Sequence, residues 1–92
     1  MLSSVFVSGR LAEAVGKDVR LVEVDRVLSG AGGKFKVDAF PVRCLLGKST
    51  LFFKAKEGSL IVLKGRLERD QDLGIVIVDE IDEIFPAKEA RG

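Results

Sequence analysis

The sequence predicts an all-β domain: a five-stranded barrel with one short helix between its third and fourth strands. Three observations lead there. Apolar residues recur with a period of two, or in short unbroken runs, over five separate segments. Turn-forming residues separate those segments. One stretch, 47–57, carries helix-capping chemistry instead of strand chemistry. The chain has 92 residues, which is one domain. The fold is expected to occupy residues 1–86, with 87–92 as a short polar tail.

Each element follows from local chemistry. Val5, Val7, Gly9 and Leu11 alternate with Phe6, Ser8 and Arg10 in a first strand, and Gly9 inside it signals a bulge or sharp bend. Residues 19–28 form a second strand, whose alternation slips near Leu21 and Val22 and predicts a twist or bulge there. The run Ser29-Gly30-Ala31-Gly32-Gly33 makes a hairpin turn into a third strand at 34–45. Pro41 cannot donate a ladder bond, so that strand is either an edge or broken at this point. Its pattern puts Lys34, Lys36, Asp38 and Phe40 on an outer face and Phe35, Val37 and Ala39 toward the core. In the helix, Ser49 or Thr50 is the cap, Lys54 and Lys56 suit the last turn, and Gly58 suits the stop. Phe52 and Phe53 lie on it and are expected in the core, one of them plugging the barrel floor. The fourth strand, 60–69, has Ile61, Leu63, Gly65 and Leu67 on one face and Val62, Lys64, Arg66 and Glu68 on the other. A tight turn at 70–74 leads to the fifth strand, 75–85, where Ile75-Val76-Ile77-Val78 lacks alternation, as expected when both faces are covered. Closing such strands into a barrel removes exposed edges, and this element order describes the OB fold.

Composition excludes several functions. There is no histidine, so imidazole acid–base chemistry and histidine metal sites are absent. One cysteine allows neither an internal disulfide nor a thiolate zinc cluster, and nothing activates Cys44 as a nucleophile. No catalytic residue, metal or cofactor is expected, and the chain is not read as an enzyme. No apolar run approaches a membrane span and no signal-peptide pattern opens the chain, which points to the cytoplasm. The acidic group Asp79, Glu80, Asp82 and Glu83 is read as the exposed half of the last strand. The net charge of +1 hides an asymmetry: residues 1–69 carry +6 and residues 70–92 carry −5. A basic body with an acidic end can attract a polyanion locally, or can simply be an uneven solvated surface.

The segment Val5-Phe6-Val7-Ser8-Gly9-Arg10-Leu11 resembles the opening strand of bacterial single-stranded DNA-binding proteins, which reads apolar-apolar-x-Gly-Arg-Leu. Lys56-Glu57-Gly58-Ser59-Leu60-Ile61-Val62-Leu63-Lys64-Gly65-Arg66-Leu67 resembles that family's fourth strand. Residues 35–40 are similar to its third and 77–81 to its fifth, so the resemblance covers roughly residues 2–85. It implies an OB fold, a homodimer or homotetramer, and sequence-independent binding of single-stranded DNA without catalysis. The implied setting is replication, recombination or repair, in the cytoplasm or on the nucleoid, with replication or repair proteins as further partners. The chain departs from the family in having no tryptophan, with Lys34 standing where one would align. It also has only a short turn between strands four and five, and no long acidic tail. In this it resembles a stripped OB core, as in the related primosomal B protein.

Binding single strands without sequence preference needs cations along the phosphates and flat rings for the bases. Phe40 is the aromatic expected on the polar face of strand three, and it aligns with a base-stacking phenylalanine of the resembled family. The alternative is that it packs under the helix or at a subunit interface. Arg20 and Arg26 on strand two, Lys34 and Lys36 on strand three, and Lys64 and Arg66 on strand four are the expected phosphate contacts, arranged as a stripe. Phe6, Val76 and Val78 are expected at an oligomer interface. Two other functions remain open: an OB-fold protein-interaction module that has lost DNA binding, and an RNA-binding relative.

Overall fold

The computed structural model describes residues 4–27, 35–45 and 50–87, the side chains of residues 26, 27, 35 and 50 excepted. The elements are β1 (Ser4–Val15), β2 (Val19–Val27), β3 (Phe35–Cys44), α1 (Thr50–Lys54), β4 (Leu60–Asp70) and β5 (Gly74–Phe85). The strands close into a barrel in the order β1-β2-β3-β5-β4. Only β3 and β5 run parallel; the other four pairings are antiparallel. This is the OB fold that the element order predicts. The hairpin turn expected at residues 29–33 lies outside the described residues, as do residues 88–92 of the tail.

Closure requires β1 to serve two partners. Its residues 4–10 pair with β4, and its residues 10–15 pair with β2. The change of partner falls beside Gly9, where an added Cβ would run into the carbonyl oxygen of Glu23. Glycine is therefore the residue that lets two strands cross closely. Just beyond it, Leu11 pairs with Val22 and Ala14 with Arg20, so Ala12 and Glu13 together face Leu21 alone. The irregularity expected in the second strand near Leu21 and Val22 thus lies in β1 opposite Leu21, while β2 itself pairs with β3 without a register shift.

A second bulge bends β5. Lys64 pairs with Ile81 and Gly65 with Asp79, leaving Glu80 as the extra residue. Gly65 again marks a close approach: a Cβ there would collide with the carbonyl oxygen of Val78. Beyond the bulge the alternation of β5 reverses phase. Asp79, expected on the exposed half of the strand, precedes the bulge, continues the inward phase of Ile77 and is buried, while Glu80 and Glu83 are exposed.

The barrel interior is filled by Leu11, Val22, Val42, Ile61, Leu63 and Ile77, among others. Phe52 of α1 is fully buried and joins this cluster from one end, as a floor. Phe53 is not in the core; it is exposed and meets Phe52 edge-to-face at 5.0 Å between ring centroids.

Two expectations about faces need correction. On β3 it is the even-numbered residues that turn inward. Phe40 pairs with Val22 and Asp38 with Val24, and these valines are buried in the core or packed against it. Val42 and Cys44 continue the same phase into the core, whereas Val37 and Ala39 are exposed. On β5, Val76 and Val78 are 0% and 1% exposed within the single chain. They cannot offer surface to another subunit. The exposed apolar residues of β5 are Ile75, Ile81 and Phe85.

Candidate nucleic-acid interface

The barrel is closed at one end and open at the other. The parallel pairing of β3 with β5 spans three residue pairs, from Val42 with Ile77 to Cys44 with Asp79. Before Val42 and Ile77 the two strands have parted. Pro41, which has no N–H for a ladder, sits at the point where that pairing begins. The inward positions above this level leave an apolar cup of about 490 Å³. Val5, Val7 and Val24 line its wall and Ile77 its base, while Phe40 stands on the β3 lip and Ile75 on the β5 lip. Phe40 is 40% exposed and Ile75 is 60% exposed. The ring is neither sealed inside nor laid flat on an outer wall. It forms the edge of a concave apolar surface.

The expected cations fall into three groups. Lys36 shares the inward phase of β3 with Phe40 and is exposed near the same lip. Arg26 is its ladder partner on β2; the Arg26 side chain and all of Lys34 lie outside the described residues. Lys64 and Arg66 are exposed on β4, on the outer wall. Because β4 lies between β1 and β5, these two residues are not neighbours of β2 and β3. The single stripe over strands two to four therefore does not form. Lys64 stands 5.9 Å from the ring centroid of Phe6. Arg66 is held by Glu68 at 2.8 Å and by Glu80 at 3.4 Å, and its guanidinium is raised above its usual value by the hydrogen bond to Glu68.

Arg20 is not a phosphate contact. It is 4% exposed, and its guanidinium donates to the carbonyl of Ala12 at 2.6 Å and to that of Phe52 at 2.9 Å. It ties β2 to the bulge of β1 and to α1. Burial pushes its ionisation below the usual arginine value, against the opposing charge of Glu57. The chemistry is consistent: five donors on one planar group can satisfy carbonyls that the bulge and the short helix leave without ladder partners.

Arginine charge is largely neutralised elsewhere too. Arg10 meets Asp25 through two hydrogen bonds, at 2.8 and 3.1 Å, and the bonded guanidinium holds Asp25 below the usual carboxylate range. Arg43 pairs with Asp18 at 3.4 Å and with Asp70. Asp70 also accepts the backbone N–H groups of Asp72 and Leu73, which lower its pKa first, with Arg43 adding to the effect. This carboxylate shapes the tight turn between β4 and β5. Arg69, not singled out by the sequence reading, is exposed and pairs with Ile75 beside the cup. Neither Arg69 nor Lys36 forms a salt bridge among the described residues. The alternation of β4 through Leu67 and Arg69 was the signal that could have placed it there.

The outer wall of β1, β4 and β5 is a second apolar surface. Phe6 is 77% exposed, and Leu60, Val62, Ile81 and Phe85 are exposed with it. The ladder sets Phe6, Lys64 and Ile81 side by side in one row, and Leu60 beside Phe85 in another. Inside the barrel, Cys44, Asp79 and Asp82 bring one donor atom each within 4.8 Å of one another. No helix among the described residues is long and apolar enough to cross a membrane.

No family model matches the sequence, and no curated protein matches it. Solved structures do. The chain is similar to the mitochondrial single-stranded DNA-binding protein Rim1 of S. cerevisiae, with a TM-score of 0.68 at 9% identity over 96% of this chain and 99% of that one. Another crystal form of Rim1 gives 0.64 at 10% identity over 98% and 100%. The OBody NL8, solved bound to hen egg-white lysozyme, gives 0.54 at 26% identity over 96% and 97%.

The buried role of Arg20 has a measurable consequence. Arg20→Ala leaves two carbonyls without their charged donor, and stability in urea titration falls by about 2–4 kcal/mol. A loss below about 0.5 kcal/mol, the ordinary effect of a surface substitution, would contradict the strut.

Proposed function

We propose that this chain binds single-stranded nucleic acid without catalysis and without sequence preference, presenting the barrel mouth to the bases. The observation that carries the proposal is the position of Phe40. Its ring stands on the lip of an apolar cup, with Lys36 in the same inward phase and Arg69 beside the other lip. A planar ring beside cations is what a strand of bases on a phosphate backbone requires. The OB fold shared with Rim1, named as a single-stranded DNA-binding protein, supports the reading. Single-stranded DNA is favoured over RNA, and replication, recombination or repair is the setting it would serve.

The same proposal includes self-association. The outer wall of β1, β4 and β5 leaves Phe6, Val62 and Ile81 in water, a contiguous apolar patch of the kind that marks an interaction surface. Lys64 and Glu83 lie within it. A two-fold axis through such a patch can set each positive group against the partner's negative one. Phe6 borders both this wall and the cup, so a homodimer or homotetramer built on the wall would abut the barrel mouth.

A second reading has its own support. The OBody NL8 is an OB-fold protein bound to another protein, and here Arg10, Arg43 and Arg66 are engaged by carboxylates. An OB-fold interaction module that has lost DNA binding would look similar.

Titration of labelled oligo-dT at low and moderate salt separates the two. The proposal expects binding at low salt that weakens as salt rises, because phosphate contacts release counterions. Phe40→Ala is expected to weaken it about tenfold. Absence of binding at low salt, or unchanged affinity in Phe40→Ala, would reject it. In sedimentation equilibrium the chain is expected as a dimer or larger, and Phe6→Glu as a monomer; a monomeric unaltered chain would reject assembly through this wall.

A further inference from the structure

The cup is an unfilled layer of the barrel interior. Leu11, Val22, Val42, Ile61, Leu63 and Ile77 fill the layers beneath it. Above them each strand contributes an apolar inward residue, yet these do not meet across the barrel. Val5 and Val7 of β1, Val24 of β2, Phe40 of β3, Leu67 of β4 and Ile75 of β5 surround about 490 Å³ of space. That volume lies within the range of small-molecule sites, and barrel mouths are a usual place for them. Water in such a cup has few polar partners, so a flat apolar group gains by displacing it.

The lips carry the information about the occupant. Phe40 precedes Val42 on β3, and Ile75 precedes Ile77 on β5, by the same two residues from the last joined pair. The two side chains therefore stand at one level, across the gap where the strands part. Leu67 pairs with Ile77 and completes the β5–β4 side. Continuing in the same phase leads directly to Arg69 on β4, and on β3 past the half-buried carboxylate of Asp38 to Lys36. Both cations are exposed, and neither is in a salt bridge among the described residues. The β4–β5 lip thus has an apolar surface backed by a positive charge, and the β3 lip has one with Asp38 standing between the ring and Lys36. A ligand matching them is flat and apolar on its faces, polar at its edge, and joined on both sides to anions.

We propose that the barrel-mouth cup takes one base unstacked from the bound strand, inserted between Phe40 on one lip and Leu67 and Ile75 on the other. This rests on the single-strand-binding reading above. It goes further by assigning Leu67 and Ile75 as base-contacting residues and by placing the base within the barrel mouth. Lys36 and Arg69 then hold the phosphates on either side of the inserted nucleotide. Ser8 is the one hydroxyl in an otherwise apolar lining, and because it can either donate or accept it imposes no fixed pattern on a base, so insertion is compatible with binding any sequence.

The test compares oligo-dT with an oligonucleotide of equal length in which the central nucleotides are abasic, using the full chain. Ile75→Gln and Leu67→Gln change exposed lip residues, and thermal melts confirm folding. Each is expected to weaken oligo-dT binding about fivefold or more while leaving abasic binding and the salt slope unchanged. Val62→Gln, on the outer wall, is expected to change neither. If the unaltered chain binds oligo-dT and both lip variants stay within twofold of it, insertion is overturned while the binding reading stands. Equal weakening toward the abasic strand also overturns it. If the unaltered chain does not bind oligo-dT at low salt, both readings fall together.

Discussion

Three residue pairs, Val42 with Ile77, Arg43 with Val78 and Cys44 with Asp79, join β3 to β5 and turn a curved sheet into a barrel. The join is short and parallel, and its consequences reach both ends of the molecule. Where it holds, the two strands bring Val42, Cys44 and Ile77 into one core with Phe52 beneath. Where it stops, β3 and β5 separate and the interior opens to solvent. The closed end and the open cup are thus two results of the same limited register. The glycines make it possible: Gly9 and Gly65 each lie where a Cβ would meet the backbone of a neighbouring strand. The tight curvature of a five-stranded barrel is confined to those points and to the two bulges.

Charge is distributed according to the same geometry. Arginine occupies the structural posts. Arg20 binds carbonyls inside the barrel, Arg43 fastens the β1–β2 turn to the end of β4 through Asp18 and Asp70, and Arg10 crosses to Asp25. Planar, multi-donor groups suit such posts better than an ammonium does. Surface pairs of this kind contribute little to stability, but they remove guanidinium charge from the wall. Among the described side chains, the cations that remain near the mouth are Lys36 and Arg69. Under the proposed function, a bound strand would depend on contact with its flat faces at least as much as on its phosphates. The absence of tryptophan in the chain is consistent with a concave apolar surface replacing broad flat rings.

Much of this fold was legible in the sequence because strand period, turns and the helix signal agreed. All five strands and the helix lie where their patterns place them, while the bulge expected in the second strand near Leu21 has its extra residue on β1 opposite. The misreadings on β3 and β5 share one physical cause. Alternation gives the period of a strand, but the phase must be fixed by something outside it. On β3 the mixed residues 34–40 suggested an outward Phe40; Val42 and Cys44, flanking polar Arg43, carried the correct phase. On β5 the extra residue Glu80 reversed the phase in the middle of the strand, and no local pattern announced it. Arg20 looked like a surface charge because its carbonyl partners, Ala12 and Phe52, are distant in sequence and are brought to it only by the fold. The cation stripe failed for a topological reason: β4 follows β3 in the chain but not around the barrel.

The central claim is that the mouth of the barrel, rather than its outer wall, meets the ligand. Amide and methyl chemical shifts followed by NMR during addition of oligo-dT test this most directly. The account predicts that the largest changes map to Phe40, Leu67, Ile75 and the valines of the cup, with Val62, Ile81 and Phe85 little moved. Changes concentrated on the wall of β1, β4 and β5, with the cup silent, would contradict it.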